Sequence, residues 1–404
     1  CSTNLRPEAT SLWAIPKACS DSGTASAKCG LRYINDLPDP HTGIDPMTDS
    51  PPPQPSRRRI RVLVVDDSAL VRKAIADALA QDPDLEVVGT APDPYVAREK
   101  IARLAPDVLT LDLEMPRMDG LTFLRILMEH HPLPVVVVSS LTQEGSQAAV
   151  DAIEAGAVEV LAKPDGTMSL GAVADKLAWH VKAAAEAGRH LRRPVEPSAE
   201  PVAIRRPAAF PVLDRQLIVI GASTGGVEAL RQVLPRFPQG LPPIAIVQHI
   251  SAHFSRAVAA RLDGLSGIAV REAGHHEPLR PGECVIAPGD YHLAVEHRPD
   301  GFRTRLLQTP PLHHCRPAVD VLFRSAAEAA GAQVVAALLT GMGSDGALGM
   351  QAIRAAGGKT LAEDESSCVV YGMPKAAIEL GVIDRVVPLR QMADAIIVAA
   401  SERT

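Results

Sequence analysis

Residues 217–234 read LIVIGASTGGVEALRQVL. An apolar run ends at Gly221, Ser223 follows, two glycines come next, and a helical period begins. A short apolar strand turning tightly into a helix is the unit of a parallel sheet covered on both faces. Its glycines leave two chemistries open. The N–H groups of such a turn can cradle a phosphate, as in a dinucleotide site. A serine inside G-x-S-x-G can instead be held out as a nucleophile. The turn alone does not decide between them.

The same unit recurs along the chain. Upstream, RIRVLVVDD, LEVVGTA, DVLTLDLE, PVVVVSS and VEVLAK are five short apolar runs separated by helix-period segments. A last amphipathic helix near residues 171–188 closes that half. Downstream of the opening stretch, PIAIVQHI, IAVREA, CVIAPG, VVAALLTG and KTLAE continue the pattern. The segment HLAVEHRPDGFRTRLLQ alternates around an Asp-Gly turn, which signals a hairpin. The expected fold class is therefore α/β: an N-terminal five-stranded parallel doubly wound domain, then a doubly wound, mostly parallel domain with a mixed edge. The expected boundaries are a disordered extension at 1–59, a first domain at 60–188, a linker at 189–215 and a second domain at 216–404. Both the extension and the linker are rich in Pro and lack a period.

Composition narrows the function classes. The 404 residues carry a net charge of -6, with 46% hydrophobic, 22% charged and only 3% aromatic residues. Cores must then rest on Val, Leu, Ile and Ala. Basic residues form no run long enough for a nucleic-acid groove, and no apolar stretch reaches the length of a membrane span. The six cysteines form no C-x-x-C pair, which points to a reduced, cytoplasmic setting.

In a parallel sheet, functional groups gather at the carboxyl ends of the strands. In the first half those ends carry Asp66 and Asp67, then Asp112, Ser139 and Lys163. Any one such Asp reads as a helix N-cap. Three carboxylates drawn together repel, and a hard divalent cation with oxygen ligands, Mg²⁺, relieves them. A lysine and a hydroxyl beside the cation would steady a transferred phosphoryl group.

In the second half, the strand after the opening one ends in Gln248 and His249, where a dinucleotide fold usually places an acid for the ribose. Asp345 lies in a Gly-rich loop past VVAALLTG. Ser223, His249 and Asp345 thus fall along one sheet edge, as a serine–histidine–aspartate relay requires. Their chain order, Ser, His, Asp, is not that of the α/β-hydrolases. His253, His292, His313 and His314 compete as bases, but His249 alone ends an expected central strand. Cys284 and Cys315 are read as inert, since nothing basic is placed beside them in the sequence.

The acid, hydroxyl and lysine set of the first half resembles the receiver domain of two-component response regulators over about residues 60–185. That resemblance implies Asp112 as phospho-acceptor, Asp66, Asp67 and Asp112 as Mg²⁺ ligands, and Ser139 and Lys163 as contacts of the phosphoryl group. The position three before the lysine, often aromatic in receivers, is Val160. In the second half, IGASTGGVEAL, QHI, APGDYHL, PAVDVLFRSAAE, LLTGMGSDGALG and VVYGMPKAAIE occur in that order. Together they resemble the catalytic domain of the chemotaxis-specific protein-glutamate methylesterases, a family that joins a receiver to this domain through a linker. The resemblance covers about residues 60–400, with Val227 standing where relatives often have proline.

It implies Ser223 as nucleophile, His249 as base and Asp345 as orienting carboxylate, with the backbone N–H groups of Thr224 and Met342 as oxyanion donors. It implies hydrolysis of glutamate methyl esters on the cytoplasmic helices of chemoreceptors, and deamidation of receptor glutamines by the same acyl chemistry. Mg²⁺ would serve phosphorylation only, and ester hydrolysis would need no cofactor. The implied phosphodonor is a chemotaxis histidine kinase, with no nucleic acid and no membrane insertion. The unphosphorylated receiver is expected to pack over the catalytic cleft, and phosphorylation to loosen it.

Three rival readings are weaker. A DNA-binding output would need a basic recognition helix, a nucleotide module would need the ribose acid, and an inactive adaptor would not need all three of Ser223, His249 and Asp345. The stretch upstream of Met47 has no period, and a native start near Met47 is expected. The mass of the native N-terminal peptide tests this, and peptides from residues 1–46 would overturn it.

Overall fold

The computed structural model describes residues 58–139, 143–163, 170–191 and 216–402. Most of the expected N-terminal extension, and the linker from residue 192 to 215, lie outside the described residues.

The first half is a five-stranded parallel sheet. Its strands are β1 (Ile60–Val65), β2 (Leu85–Ala91), β3 (Val108–Leu111), β4 (Val135–Ser139) and β5 (Glu159–Ala162), in the order β2-β1-β3-β4-β5. The helices between them are α1 (Ala69–Leu79), α2 (Pro94–Leu104), α3 (Gly120–His130), α4 (Gln143–Glu154) and α5 (Leu170–Leu191). Side chains start three of these helices. Ser68, Asp93 and Asp119 each accept a hydrogen bond from a first-turn N–H group. Such caps satisfy donors the helix itself cannot. Helix α5 runs on through Leu191, into the stretch expected as linker.

The second half begins with β6 (Leu217–Ala222), α6 (Gly226–Val233), β7 (Ile244–Gln248), α7 (Ala252–Leu265) and β8 (Ala269–Glu272). It continues with β9 (Pro278–Leu279), β10 (Glu283–Ile286), β11 (His292–Arg298), β12 (Gly301–Leu307), α8 (Val319–Ala330) and β13 (Val334–Leu338). It ends with α9 (Ala347–Ala355), β14 (Lys359–Glu363), α10 (Met373–Glu379), β15 (Arg385–Val387) and α11 (Leu389–Ser401). Seven of the strands form a sheet in the order β15-β14-β13-β6-β7-β10-β8, and its pairings are parallel. The expected hairpin is present as β11 and β12, registered from His292 opposite Leu307 to Arg298 opposite Gly301. With β9 it forms an antiparallel sheet of its own rather than an edge of the large one.

Strand β6 is central and every residue in it is buried. Its side chains alternate between two cores, because a strand's side chains have a period of two. Ile218 and Ile220 face Leu230, Val258 and Ile396, while Leu217 and Val219 face Leu322, Phe323 and Met350. Aliphatic residues dominate both cores, as the composition required. The chain passes from β6 to β7 on one side and returns through β13 on the other. That change of direction leaves a crevice at the carboxyl end of β6, where open α/β sheets bind their ligands. No helix among the described residues is long and apolar enough to cross a membrane.

Candidate active site and acidic pocket

Ser223 leaves β6 at this crevice. Its N–H donates to the Thr340 carbonyl beyond β13 at 3.0 Å, and its own carbonyl accepts from Gly226 N–H at 2.7 Å. The turn between them needs Gly225, whose φ of +79° lies in the left-handed region. A Cβ on Gly225 would also meet Val369 Cβ at 2.6 Å. The backbone thus presents Ser223 at a tight strand-to-helix corner.

His249 follows β7, the neighbouring strand. Its Nδ1 lies 3.0 Å from Ser223 Oγ and its Nε2 lies 2.8 Å from Asp345 Oδ2. A carboxylate accepts only, so Nε2 carries the proton, and the Nδ1 lone pair faces the serine hydroxyl. Asp345 also accepts from Val319 N–H at 2.7 Å and from Asp320 N–H at 2.9 Å. Those groups open α8, whose N-cap position is Ala318, a residue with no side-chain acceptor. Asp345 caps that helix from another loop. Ser223, His249 and Asp345 are all buried, and the three residues picked from the sequence form one continuous hydrogen-bonded chain.

The competing histidines are engaged elsewhere or exposed. His292 accepts Ala318 N–H and contacts the Pro310 carbonyl, and His313 contacts Asp320. His253 and His314 are exposed. Cys284 is buried in an apolar setting that pushes its thiol up, and it behaves as the sequence suggested. Cys315 does not. Its sulfur lies 3.5 Å from His249 Nδ1, so a basic group does stand beside it. The cause is a tight turn: Leu312 and Cys315 exchange backbone hydrogen bonds, and His313 and His314 between them both have positive φ. Sequence spacing gave no sign of that fold-back.

Burial disfavours a charged His249, but the Cys315 sulfur and the Asp345 carboxylate outweigh it and raise its pKa. Burial likewise opposes ionisation of Asp345, yet His249 and the two N–H groups of α8 hold it below the usual carboxylate range. His249 is thus a stronger base than a free imidazole, and Asp345 is held as the carboxylate that stabilises the imidazolium formed when the histidine takes the serine proton.

Behind the serine, Thr340 and Gly341 form the opposite wall. A Cβ on Gly341 would lie 2.6 Å from Ser223 Cβ, so only glycine lets this loop approach. Met342 follows it. The backbone N–H groups of Thr224 and Met342 bond to no carbonyl among the described residues. Two buried side chains that the sequence reading gave no role brace this wall. Gln248 Nε2–H donates to the Ser223 carbonyl at 2.9 Å and the His249 carbonyl at 3.1 Å. Glu363, at the end of β14, accepts from Thr340 N–H at 2.8 Å. The signal that located Asp345, a polar group at the carboxyl end of a strand, also applied to Glu363.

In the first half, Asp66, Asp67 and Asp112 converge, with their ligand oxygens within 4.8 Å of one another. Lys163 Nζ lies 2.7 Å from Asp112 Oδ2 and 3.2 Å from Asp66 Oδ2. Arg72 donates to the Asp66 and Asp67 carbonyls at 2.7 and 2.9 Å, so two cations stand near three carboxylates, and the donors of the acidic set are all hard oxygens, which suits a divalent cation. Burial raises the pKa of Asp112 against the opposing pull of Lys163. Burial lowers that of Lys163, but Asp112 and Asp66 outweigh it and raise it. Ser139 is fully buried, and its hydroxyl has no hydrogen-bond partner among the described residues. Val160 is buried on β5.

The two halves touch. Arg261 on α7 makes a two-pronged ion pair with Glu154 on α4, at 2.6 and 2.7 Å. Val150 of α4 packs into the same core as Leu230 and Val258. Helix α4 therefore rests on α6 and α7, the helices that follow Ser223 and His249.

Both halves match known protein families. Residues 218–396 match the family model for the CheB methylesterase, and residues 62–174 match that for the response regulator receiver domain. The protein-glutamate methylesterase/protein-glutamine glutaminase 2 of Syntrophus aciditrophicus is 47% identical over 339 residues, which span 84% of this chain and 98% of that one. The protein-glutamate methylesterase/protein-glutamine glutaminase of Nitrosomonas europaea is 48% identical over 340 residues, spanning 83% of this chain and 95% of that one. Among solved structures, the Thermotoga maritima CheB methylesterase catalytic domain is 39% identical with a TM-score of 0.45, covering 46% of this chain and 98% of that chain.

The Cys315 contact has a measurable consequence. His249 must be neutral to take the serine proton, so labelling of Ser223 by a fluorophosphonate should rise with pH as His249 loses its proton. Removing the sulfur removes part of what holds the imidazolium. The acid limb of the Cys315→Ser variant should therefore lie at lower pH than that of the parent, and coincident profiles would show that the sulfur does not act on His249.

Proposed function

This chain belongs to the CheB methylesterase family, and from that premise we infer the chemistry of its two sites. It is a phosphorylation-regulated hydrolase that converts glutamate methyl esters on chemoreceptors to glutamate and methanol, and it deamidates receptor glutamines. The observation that carries this reading is the unbroken chain from Ser223 Oγ through His249 to Asp345.

Ser223 Oγ attacks the ester carbonyl carbon as its proton passes to His249 Nδ1. The carbonyl oxygen becomes an oxyanion, and the N–H groups of Thr224 and Met342 are its donors. Each such donor contributes about 3 kcal/mol to lowering the barrier. The intermediate collapses, the C–O bond to the methoxy group breaks, and His249 returns its proton so that methanol leaves. Water then attacks the acyl-enzyme with the same base, releasing glutamate and restoring the serine. With a glutamine side chain the first leaving group is ammonia. Asp345 stays ionised, because two α8 N–H groups and the imidazolium all stabilise its charge. The machinery needs only these side chains and backbone groups.

In the receiver half, Asp112 accepts the phosphoryl group from a chemotaxis histidine kinase. Asp66, Asp67 and Asp112 would hold a divalent cation, of the hard class to which Mg²⁺ belongs. That cation supplies charge neutralisation for the phosphoryl oxygens. Lys163 pairs with the same oxygens, and the unpartnered Ser139 hydroxyl donates to them. Ser139 ends β4, α4 begins at Gln143, and α4 rests on the helices that follow Ser223 and His249. A small movement at Ser139 therefore biases a packed interface between two arrangements. The methylated helices of the receptors are cytoplasmic, and the enzyme acts there.

Two experiments test this reading. Methanol release from methylated receptor membranes should fall by about 10⁶-fold in Ser223→Ala, and equal release by both proteins would remove Ser223 from the mechanism. The Arg261→Glu variant places like charges across the α4–α7 contact. Without phosphodonor it should release methanol several-fold faster than the parent, and unchanged or lower basal release would argue against inhibition through this contact.

A further inference from the structure

Glu363 is a fully buried carboxylate with no catalytic assignment. It ends β14, two strands from Ser223 across β13. Its Oε2 accepts Thr340 N–H at 2.8 Å, and its Oε1 accepts the Ser367 hydroxyl at 3.0 Å. Thr340 is the joint of the wall behind the serine. Its carbonyl accepts Ser223 N–H at 3.0 Å. Its hydroxyl donates to the Thr224 carbonyl at 3.0 Å and accepts Val370 N–H at 2.9 Å. The next residue, Gly341, donates to the Val370 carbonyl at 3.0 Å, and Met342 follows. One residue thus ties the nucleophile, the Thr224 donor and the approach to the Met342 donor together, and Glu363 holds that residue from behind.

We propose that Glu363 is a positioning residue for the oxyanion site, fixing through Thr340 the spacing between Ser223 and the backbone donors of Thr224 and Met342. The inference rests on the serine mechanism given above. It concerns the transition state more than the ground state, because the donors must meet the oxygen where its charge develops. No cation among the described residues pairs with Glu363. Burial is the main influence on it, with Asp364 adding to it, and its pKa is pushed up to about 7 against the pull of Thr340 N–H and Ser367. The geometry asks of Glu363 an acceptor for Thr340 N–H, and no ion pair among the described residues calls for its charge. A glutamine, with one acceptor oxygen for Thr340 N–H and one donor for Ser367, should then replace it.

The test uses the full chain with methylated receptor membranes and compares Glu363→Gln with Glu363→Met, which keeps the bulk and loses the acceptor. Glu363→Met should lower kcat by about 10²-fold with KM within about twofold, and a boronic acid that mimics the tetrahedral oxyanion should lose affinity in proportion. Glu363→Gln should recover kcat to within about threefold of the parent. Equal losses in both variants, a loss carried by KM, or a Glu363→Met enzyme as fast as the parent would each overturn the proposal. If Glu363→Met does not fold, Thr340→Val cuts the link to Thr224 from the other end and is held to the same kcat and KM split. Ser223→Ala is assayed alongside. Methanol release retained by that variant would mark a failure of the serine mechanism, whereas its loss beside a normal Glu363→Met would mark a failure of this inference alone.

Discussion

Asp345 accepts three hydrogen bonds, one from His249 and two from the N–H groups that open α8. The rest of the catalytic half is arranged around that shared carboxylate. The helix leaves its first N–H groups without partners, and Ala318 offers none. Asp345 fills that need and is itself kept ionised by it, although it is buried. A charged Asp345 fixes the proton of His249 on Nε2, and this leaves Nδ1 free for Ser223. A helix cap worth about 1 kcal/mol in stability thus also sets the tautomer on which the chemistry depends.

The two halves solve the same problem at the same place in a sheet. Each gathers buried carboxyl groups at the carboxyl ends of parallel strands, where loops can vary without disturbing the core. They differ in what offsets the charge. In the catalytic half, an imidazole and backbone N–H groups surround Asp345. In the receiver half, Lys163 pairs with Asp66 and Asp112, Arg72 donates to the Asp66 and Asp67 carbonyls, and Asp67 stands beside them. The first arrangement closes as a continuous hydrogen-bonded chain. The second keeps an excess of negative charge, which suits a pocket that takes a divalent cation and then a phosphoryl group.

Contact between the halves is modest and partly polar. An exposed ion pair such as Arg261–Glu154 contributes little to stability, and Val150 supplies the apolar part. Such a contact can be biased by a small change in α4, whereas the two cores cannot. Close packing makes cores either keep or lose their arrangement. The α4 surface, rather than either sheet, is therefore where we propose that phosphorylation acts.

By itself the sequence determined the architecture and the strand-end polar groups that the structure brings together. Apolar runs alternating with helical periods dictate parallel sheets. The rule that ligands meet the carboxyl ends of strands picked out Asp112, Lys163, Ser223, His249 and Asp345, because strand ends are read from local pattern. What only the tertiary structure decided were contacts between residues distant in sequence whose own neighbourhoods carry no period. The Cys315 sulfur reaches His249 through a strained two-residue turn, the antiparallel strands separate from the main sheet, and Glu363 meets Thr340 across adjacent strands. Strand ends follow from the spacing of apolar side chains. The pairing of polar groups at those ends depends on how loops close over them, and that is fixed by packing in three dimensions.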